Sequence, residues 1–282
     1  MNSQYVDPDL RYAGQEGFTK QGITFFLFGG IGTMKTTWAG MAPKPLFLSI
    51  GTEGGDDSLA MLPQLYGIQQ PPSYHITSPK NMNEKVIRIC KDYKSMDINT
   101  VVIDSITYYV DMWITELNTI RYQQPAVQKR MESKGGQATN MTMQDWGLLA
   151  MHIRDLAVQL HRTQLNVIWI ALQKEQRTSN EQTGDSIVTG IEPYIKGETN
   201  IKLPGMCKMV IHATKTLKPD PNVMGRMVAA PVFYTSPSAL TPMVRHKYGN
   251  LFPEGCLVDE KYGTWPTWDC IYKRIGNFLY RT

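Results

Sequence analysis

Residues 23–28 (ITFFLF) form an apolar run that stops at two glycines, and similar runs return at 45–50 (PLFLSI), 100–103 (TVVI) and 166–172 (NVIWIAL). Runs of this length, rich in β-branched and aromatic residues and bounded by Gly or polar residues, predict buried strands. Between them the apolar positions recur at helical spacing. One such set is Val86, Ile89, Cys90 and Tyr93 within 83–96, and a second is Ile106, Tyr109, Val110, Trp113, Leu117 and Ile120. A third set is Trp146, Leu149, Ile153, Leu156 and Leu160, and each predicts a helix with one buried face. TTWAGMA after the first run starts a further short helix, and Asp56 and Asp57 after the second are suited to cap another. The polar stretches at about 122–140 and 173–187 carry no pattern and are expected as loops. Beyond Gly205, GMCKMVIHA and RMVAAPVFYT suit added strands at a sheet edge.

Strand and helix in alternation predict an α/β fold: a mostly parallel twisted sheet flanked by helices, with extra strands at its C-terminal edge and ligands at the carboxyl ends of the strands. The expected organisation is a polar N-terminal arm (1–20), a core (21–250) and a C-terminal extension packed on it (251–282). The 282 residues, 42% hydrophobic, are enough for one large core or two small ones. No run approaches the ~20 apolar residues that span a bilayer, and the N-terminus lacks the basic start and apolar stretch of a signal peptide. A cytoplasmic protein with no membrane partner is expected. Four scattered cysteines form no C-x-x-C pair, which points to neither zinc nor disulfides. The five histidines form no H-x-x-x-H pair, and none is assigned a role. A net charge of +4 favours approach of a polyanion without specifying one.

The chemistry concentrates in GGIGTMKTT, residues 29–37, which nearly matches the phosphate loop G-x-x-x-x-G-K-[ST]. Gly29, Gly30, Ile31, Gly32, Thr33 and Met34 would curl backbone N–H groups around phosphate oxygens. Lys35 would supply a point charge to the β and γ phosphates, and the Thr36 hydroxyl, followed by Thr37, would reach Mg²⁺. The positive end of the helix starting there faces the same anion. Met34 stands where the pattern has glycine, and if that position needs φ > 0 methionine costs on the order of 1 kcal/mol or more. TVVIDS (100–105) is an apolar strand ending in an acid, and its Asp104 is the best metal carboxylate available to the loop.

These pieces resemble the RecA-like P-loop ATPases. TVVIDS is similar to a Walker B segment. PLFLSIGTEGG resembles that family's second strand, and the resemblance makes Glu53 the acid that orients and deprotonates the attacking water. NVIWIALQKEQ resembles the strand whose terminal polar residue, here Gln173, senses the γ-phosphate and leads into a DNA-binding loop. The QDWG helix start at 144–147 is similar to that of small phage ATPases of this group, the single-strand annealing recombinases. The departures are Met34 and the Ser49-Ile50-Gly51 step before Thr52-Glu53, and they bear more on hydrolysis than on binding. ATP and Mg²⁺ are the implied cofactors, with catalytic roles for Lys35, Glu53, Asp104 and Gln173.

The loop after the second helix carries Arg121, Tyr122, Lys129, Arg130 and Lys134 around a Gly pair, a composition suited to phosphate neutralisation and base stacking. Lys174 and Arg177 begin the second polar stretch, diluted by Glu175, Glu181 and Asp185. MVRHKYG (243–249) resembles the place from which related ATPases send a cation, here Arg245 or Lys247, into a neighbour's site. The expected partners are single-stranded DNA and further copies of the chain, in a filament or ring. Two rivals stay open: a nucleotide-dependent assembly module with little turnover, and a P-loop phosphotransferase.

Overall fold

The computed structural model describes residues 22–51, 55–122, 141–179, 186–219, 227–247, 255–257 and 268. The phosphate-loop unit comes first, with β1 (Thr24–Gly29) and α1 (Lys35–Gly40). Next are β2 (Pro45–Ile50), α2 (Gly55–Ala60), α3 (Leu62–Tyr66), β3 (Ser73–Ile76) and α4 (Pro79–Asp92). The middle of the chain holds β4 (Thr100–Asp104), α5 (Ile106–Tyr122), α6 (Met143–His161) and β5 (Asn166–Ser179). It closes with β6 (Ser186–Pro193), α7 (Thr199–Met206), β7 (Met209–Pro219), β8 (Met227–Tyr234), β9 (Arg245–His246) and β10 (Cys256–Leu257).

The sheet runs β10-β8-β7-β1-β5-β4-β2-β3, with β6 paired to β5 and β9 to β7. From β7 to β3 every pair is parallel, and β8, β9 and β10 add antiparallel pairs at one side. This is the expected α/β sheet, and its apolar runs follow from its two covered faces. Along β1, Phe26 and Phe28 point into one core with α4, α5 and α6, while Phe25 and Leu27 point into the other with Trp38 of α1 and Leu59 and Leu62. Trp268 closes that second core. Its ring stacks on Trp38 at 4.6 Å and its indole N–H donates to the Trp38 carbonyl at 3.0 Å.

Helix starts follow their local chemistry. Ser78 Oγ accepts from the Asn81 N–H at the head of α4, and Thr142 with Asp145 forms a capping box on α6.

Four features depart from the sequence expectation. The stretch at 173–187 is not all loop, because β5 continues to Ser179 and returns as β6 in an antiparallel ribbon. Its residues 174–179 are exposed, so backbone pairing rather than burial holds it. Neither β3 nor α7 shows in the pattern: β3 buries only Ile76, and α7 contains Pro204. Finally β7, expected at an edge, lies inside the sheet between β1 and β8.

Candidate nucleotide site

Between β1 and α1 the chain turns through two residues of positive φ, Gly32 at 71° and Met34 at 64°. Met34 is the N-cap of α1, left-handed at φ 64° and ψ 25°, with no side-chain cap bond. The glycine pattern is thus broken at a position that demands glycine's geometry, and an L-residue there costs roughly 1–2 kcal/mol. Lys35 follows, 7% exposed. Its Nζ donates to the Gly29 carbonyl at 2.9 Å, the Gly30 carbonyl at 2.7 Å and Thr33 Oγ1 at 3.3 Å. The ammonium is therefore held at the centre of the loop. Burial lowers its pKa to about 8, and the charge of Asp104 draws it partly back.

Thr36 Oγ1 donates to Asp104 Oδ2 at 2.7 Å, which joins the first helical turn to the end of β4. Burial raises the Asp104 pKa, the Thr36 bond and Lys35 act against that, and Asp56 adds to it. A Cβ on Gly55 would stand 3.3 Å from Asp104 Oδ2, so a methyl there would crowd the carboxylate at the head of α2. Lys35, Thr36, Asp56, Asp104 and Tyr108 share the wall of a cleft of about 660 Å³. Thr36 and Asp104 are hard oxygen donors, and with the hydroxyl proton turned to Asp104 the Thr36 oxygen keeps lone pairs for a cation. That donor set fits Mg²⁺, which keeps several waters and takes the rest of its shell from substrate phosphates. No group of three or more His, Cys, Asp or Glu suited to a metal occurs among the described residues. Glu53 lies outside the described residues.

β5 separates β1 from β4, and from its far end the Gln173 side chain reaches the loop at Gly30. A Cβ on Gly30 would stand 3.8 Å from Gln173 Nε2, while Oε1 lies 3.0 Å from His212 Nε2. His212, on β7, is buried and packs on Phe28 with ring centroids 5.0 Å apart. Burial first, then the charge of Lys35, holds its pKa down at about 4. Sequence reasoning left His212 unassigned, read Asp56 only as a cap and passed over Lys215. Lys215 Nζ comes 3.4 Å from the position of a Gly32 Cβ. The signal for His212 was a polar residue ending the apolar step Val210-Ile211.

The remaining expected residues disperse. Lys174 pairs with Glu192 at 2.8 Å and Arg177 with Glu175 at 2.6 Å, all on the β5–β6 ribbon. Arg121 and Tyr122 end α5, and Lys129, Arg130 and Lys134 lie outside the described residues. Arg245 and Lys247 stand at β9, which pairs with Met209 and Val210 at the start of β7. The loop aligns instead with Ala213 through Gly29, about 10 Å further along the strand. Arg245 donates to the Pro204 and Gly205 carbonyls at the end of α7. Neither cation serves the loop of its own chain.

The sequence matches the family model described as an AAA domain over residues 21–240. No curated protein sequence matches it. Among solved structures, the chain is similar to a KaiC-like protein from the hyperthermophilic archaeon Pyrococcus horikoshii OT3, at 14% identity and a TM-score of 0.40 over 75% of this chain and 86% of that one. It is also similar to the RadB recombinase, at 17% identity and a TM-score of 0.38 over 76% and 88%. Both likenesses are too distant to bear on function. Among the described residues no helix is long and apolar enough to cross a membrane.

Proposed function

The chain belongs to the AAA-domain family of P-loop nucleotide-binding ATPases, and from that premise we propose that it binds and hydrolyses Mg-ATP at this cleft and, as an oligomer, assists recombination or annealing of single-stranded DNA. The observation that carries the ATP part is Lys35, held by three loop oxygens one residue before a hydroxyl bonded to Asp104. In this reading the amides of 30–36 wrap the phosphates and Lys35 moves a proton-bearing donor onto the β and γ oxygens. Magnesium, when bound at Thr36 and Asp104, neutralises charge on the phosphates. Glu53 takes the proton of the attacking water, and Gln173 donates an amide N–H toward the γ-phosphate.

The DNA part rests on the two ribbons, β5–β6 and β7–β8, that extend from the strands flanking β1. Gln173 and the cations Lys174 and Arg177 share one continuous strand, so a change at the nucleotide is a change at the root of the ribbon that carries both cations. The Arg177–Glu175 pair is exposed and worth about 0–1 kcal/mol, so exchange of its carboxylate for a DNA phosphate costs little, whereas Glu192, partner of Lys174, is partly buried and also accepts from Asn200. Arg245 or Lys247 would act on a neighbour's nucleotide. The test is ATP turnover against protein concentration, with and without single-stranded DNA. Stimulation by DNA and a rate that rises faster than linearly with protein support the reading, and turnover indifferent to both removes the recombination part.

A second reading, an assembly module with little turnover, is favoured by the left-handed Met34. Glu53→Gln separates the two: an enzyme loses turnover and keeps ATP affinity, and a pure binder shows no change.

A further inference from the structure

β7 enters the sheet beside β1 in parallel register, with His212 opposite Phe28 and Ala213 opposite Gly29. This puts an imidazole one residue short of the loop's first glycine, on the side of β1 away from Asp104. Its ring is wedged on Phe28, and its Nε2 meets Gln173 Oε1 at 3.0 Å from across β1. The other end of the same carboxamide, Nε2, lies 3.8 Å from where a Cβ on Gly30 would stand. An amide has one donor end and one acceptor end, so fixing one fixes the other.

We infer that His212 is a positioning residue which, by donating its Nε2–H to Gln173 Oε1, turns the Gln173 amide so that its N–H₂ end faces the phosphate of the bound nucleotide. The inference rests on the ATPase reading above and adds to it a residue on a different strand. The reverse orientation would aim a carbonyl oxygen at an anion, with His212 accepting, and the phosphate would be repelled rather than sensed. Orientation by a second side chain is the arrangement that catalytic groups need when one of two rotamers is inactive. His212 is suited to it because its backbone lies in a paired strand and its ring is buried and packed on Phe28. In this role it acts through Gln173. The donor is present in the Nε2–H tautomer, which the Gln173 oxygen selects.

Two replacements at this position separate orientation from packing. His212→Phe keeps a ring on Phe28 and removes the donor, whereas His212→Gln gives up the ring and keeps an N–H donor at about the same reach. Steady-state ATPase kinetics and nucleotide binding are measured for both, for Gln173→Ala and for the His212→Phe, Gln173→Ala double variant, with thermal melts of each. The inference expects kcat to fall at least tenfold in His212→Phe with ATP affinity changed less than about threefold. It expects His212→Gln to recover most of kcat, and the double variant to be no slower than Gln173→Ala alone. The opposite order, Phe active and Gln impaired, would show a ring that merely packs and would overturn it, as would additive losses in the double variant. If Gln173→Ala itself leaves kcat unchanged, the role of Gln173 fails, and with it the inference. If wild-type protein turns over no ATP, the functional reading fails first.

Discussion

The proton on Lys35 links the buried loop to the nucleotide, and its behaviour with pH follows from the structure. Burial of the ammonium brings its pKa from 10.5 to about 8, equivalent to about 3 kcal/mol against the charged form. The sign for folding is fixed by proton counting. Between pH 8 and 10.5 the folded chain holds less of this proton than the unfolded chain, so stability from this group rises with pH across that window and is lowest below it. For binding the sign reverses, because a triphosphate stabilises the ammonium. Below about pH 8 ATP meets a lysine already charged and affinity is flat. Above it binding must take up a proton, and affinity falls by up to about tenfold per pH unit. Calorimetric titration with Mg-ATP from about pH 7 to about pH 9.5, in buffers of different ionisation enthalpy, reads both quantities. Phosphate ionisation near pH 6 and His212, at about 4, fall below the window. The expected uptake is about half a proton at pH 8 and close to one proton a unit above. Lys35→Met should bind at least a hundredfold more weakly and show no uptake. Affinity constant across the range, with no proton taken up by wild type, would refute the placement of Lys35 against the phosphates.

Three further outcomes are expected. Met34→Gly relieves a left-handed residue at φ 64° worth roughly 1–2 kcal/mol, less the entropy glycine adds to the unfolded chain, so it should melt a few degrees higher, whereas β-branched Met34→Val should melt lower. Gly55→Ala puts a methyl 3.3 Å from Asp104 Oδ2 and should raise the Mg²⁺ concentration for half-maximal turnover several-fold, read from a magnesium titration. Trp268→Ala empties a buried ring stacked on Trp38 and should cost about 3–5 kcal/mol in a denaturant melt, while nucleotide contacts stay in place.

The strands of the parallel sheet were legible because both their faces are covered, so β1 and β5 carry apolar residues at consecutive positions. The phosphate loop was legible because its chemistry leaves few choices of residue, and even Met34 marked a position that proved left-handed. What stayed hidden is held by backbone rather than by side chains. Residues 174–179 of β5 are exposed and polar, so the ribbon has no hydrophobic signature and depends on β6 arriving from 186–193. β3 has one buried residue, and Pro204 and Gly205 break the helical pattern of α7. His212 was invisible for a different reason. Its partner is 39 positions away in sequence, and the contact exists only because β7 and β5 both pair with β1.

The central claim is that the loop of residues 29–37 and Asp104 together hold a magnesium triphosphate. A crystal structure of the chain with Mg²⁺ and a non-hydrolysable ATP analogue tests it most directly. The account predicts phosphate density enclosed by the amides of 30–36, Lys35 Nζ moved from the Gly29 and Gly30 carbonyls onto phosphate oxygens, and the cation against Thr36 with Asp104 beside it. Analogue bound elsewhere, or a loop left empty at millimolar ligand with Lys35 still on its own carbonyls, would contradict it.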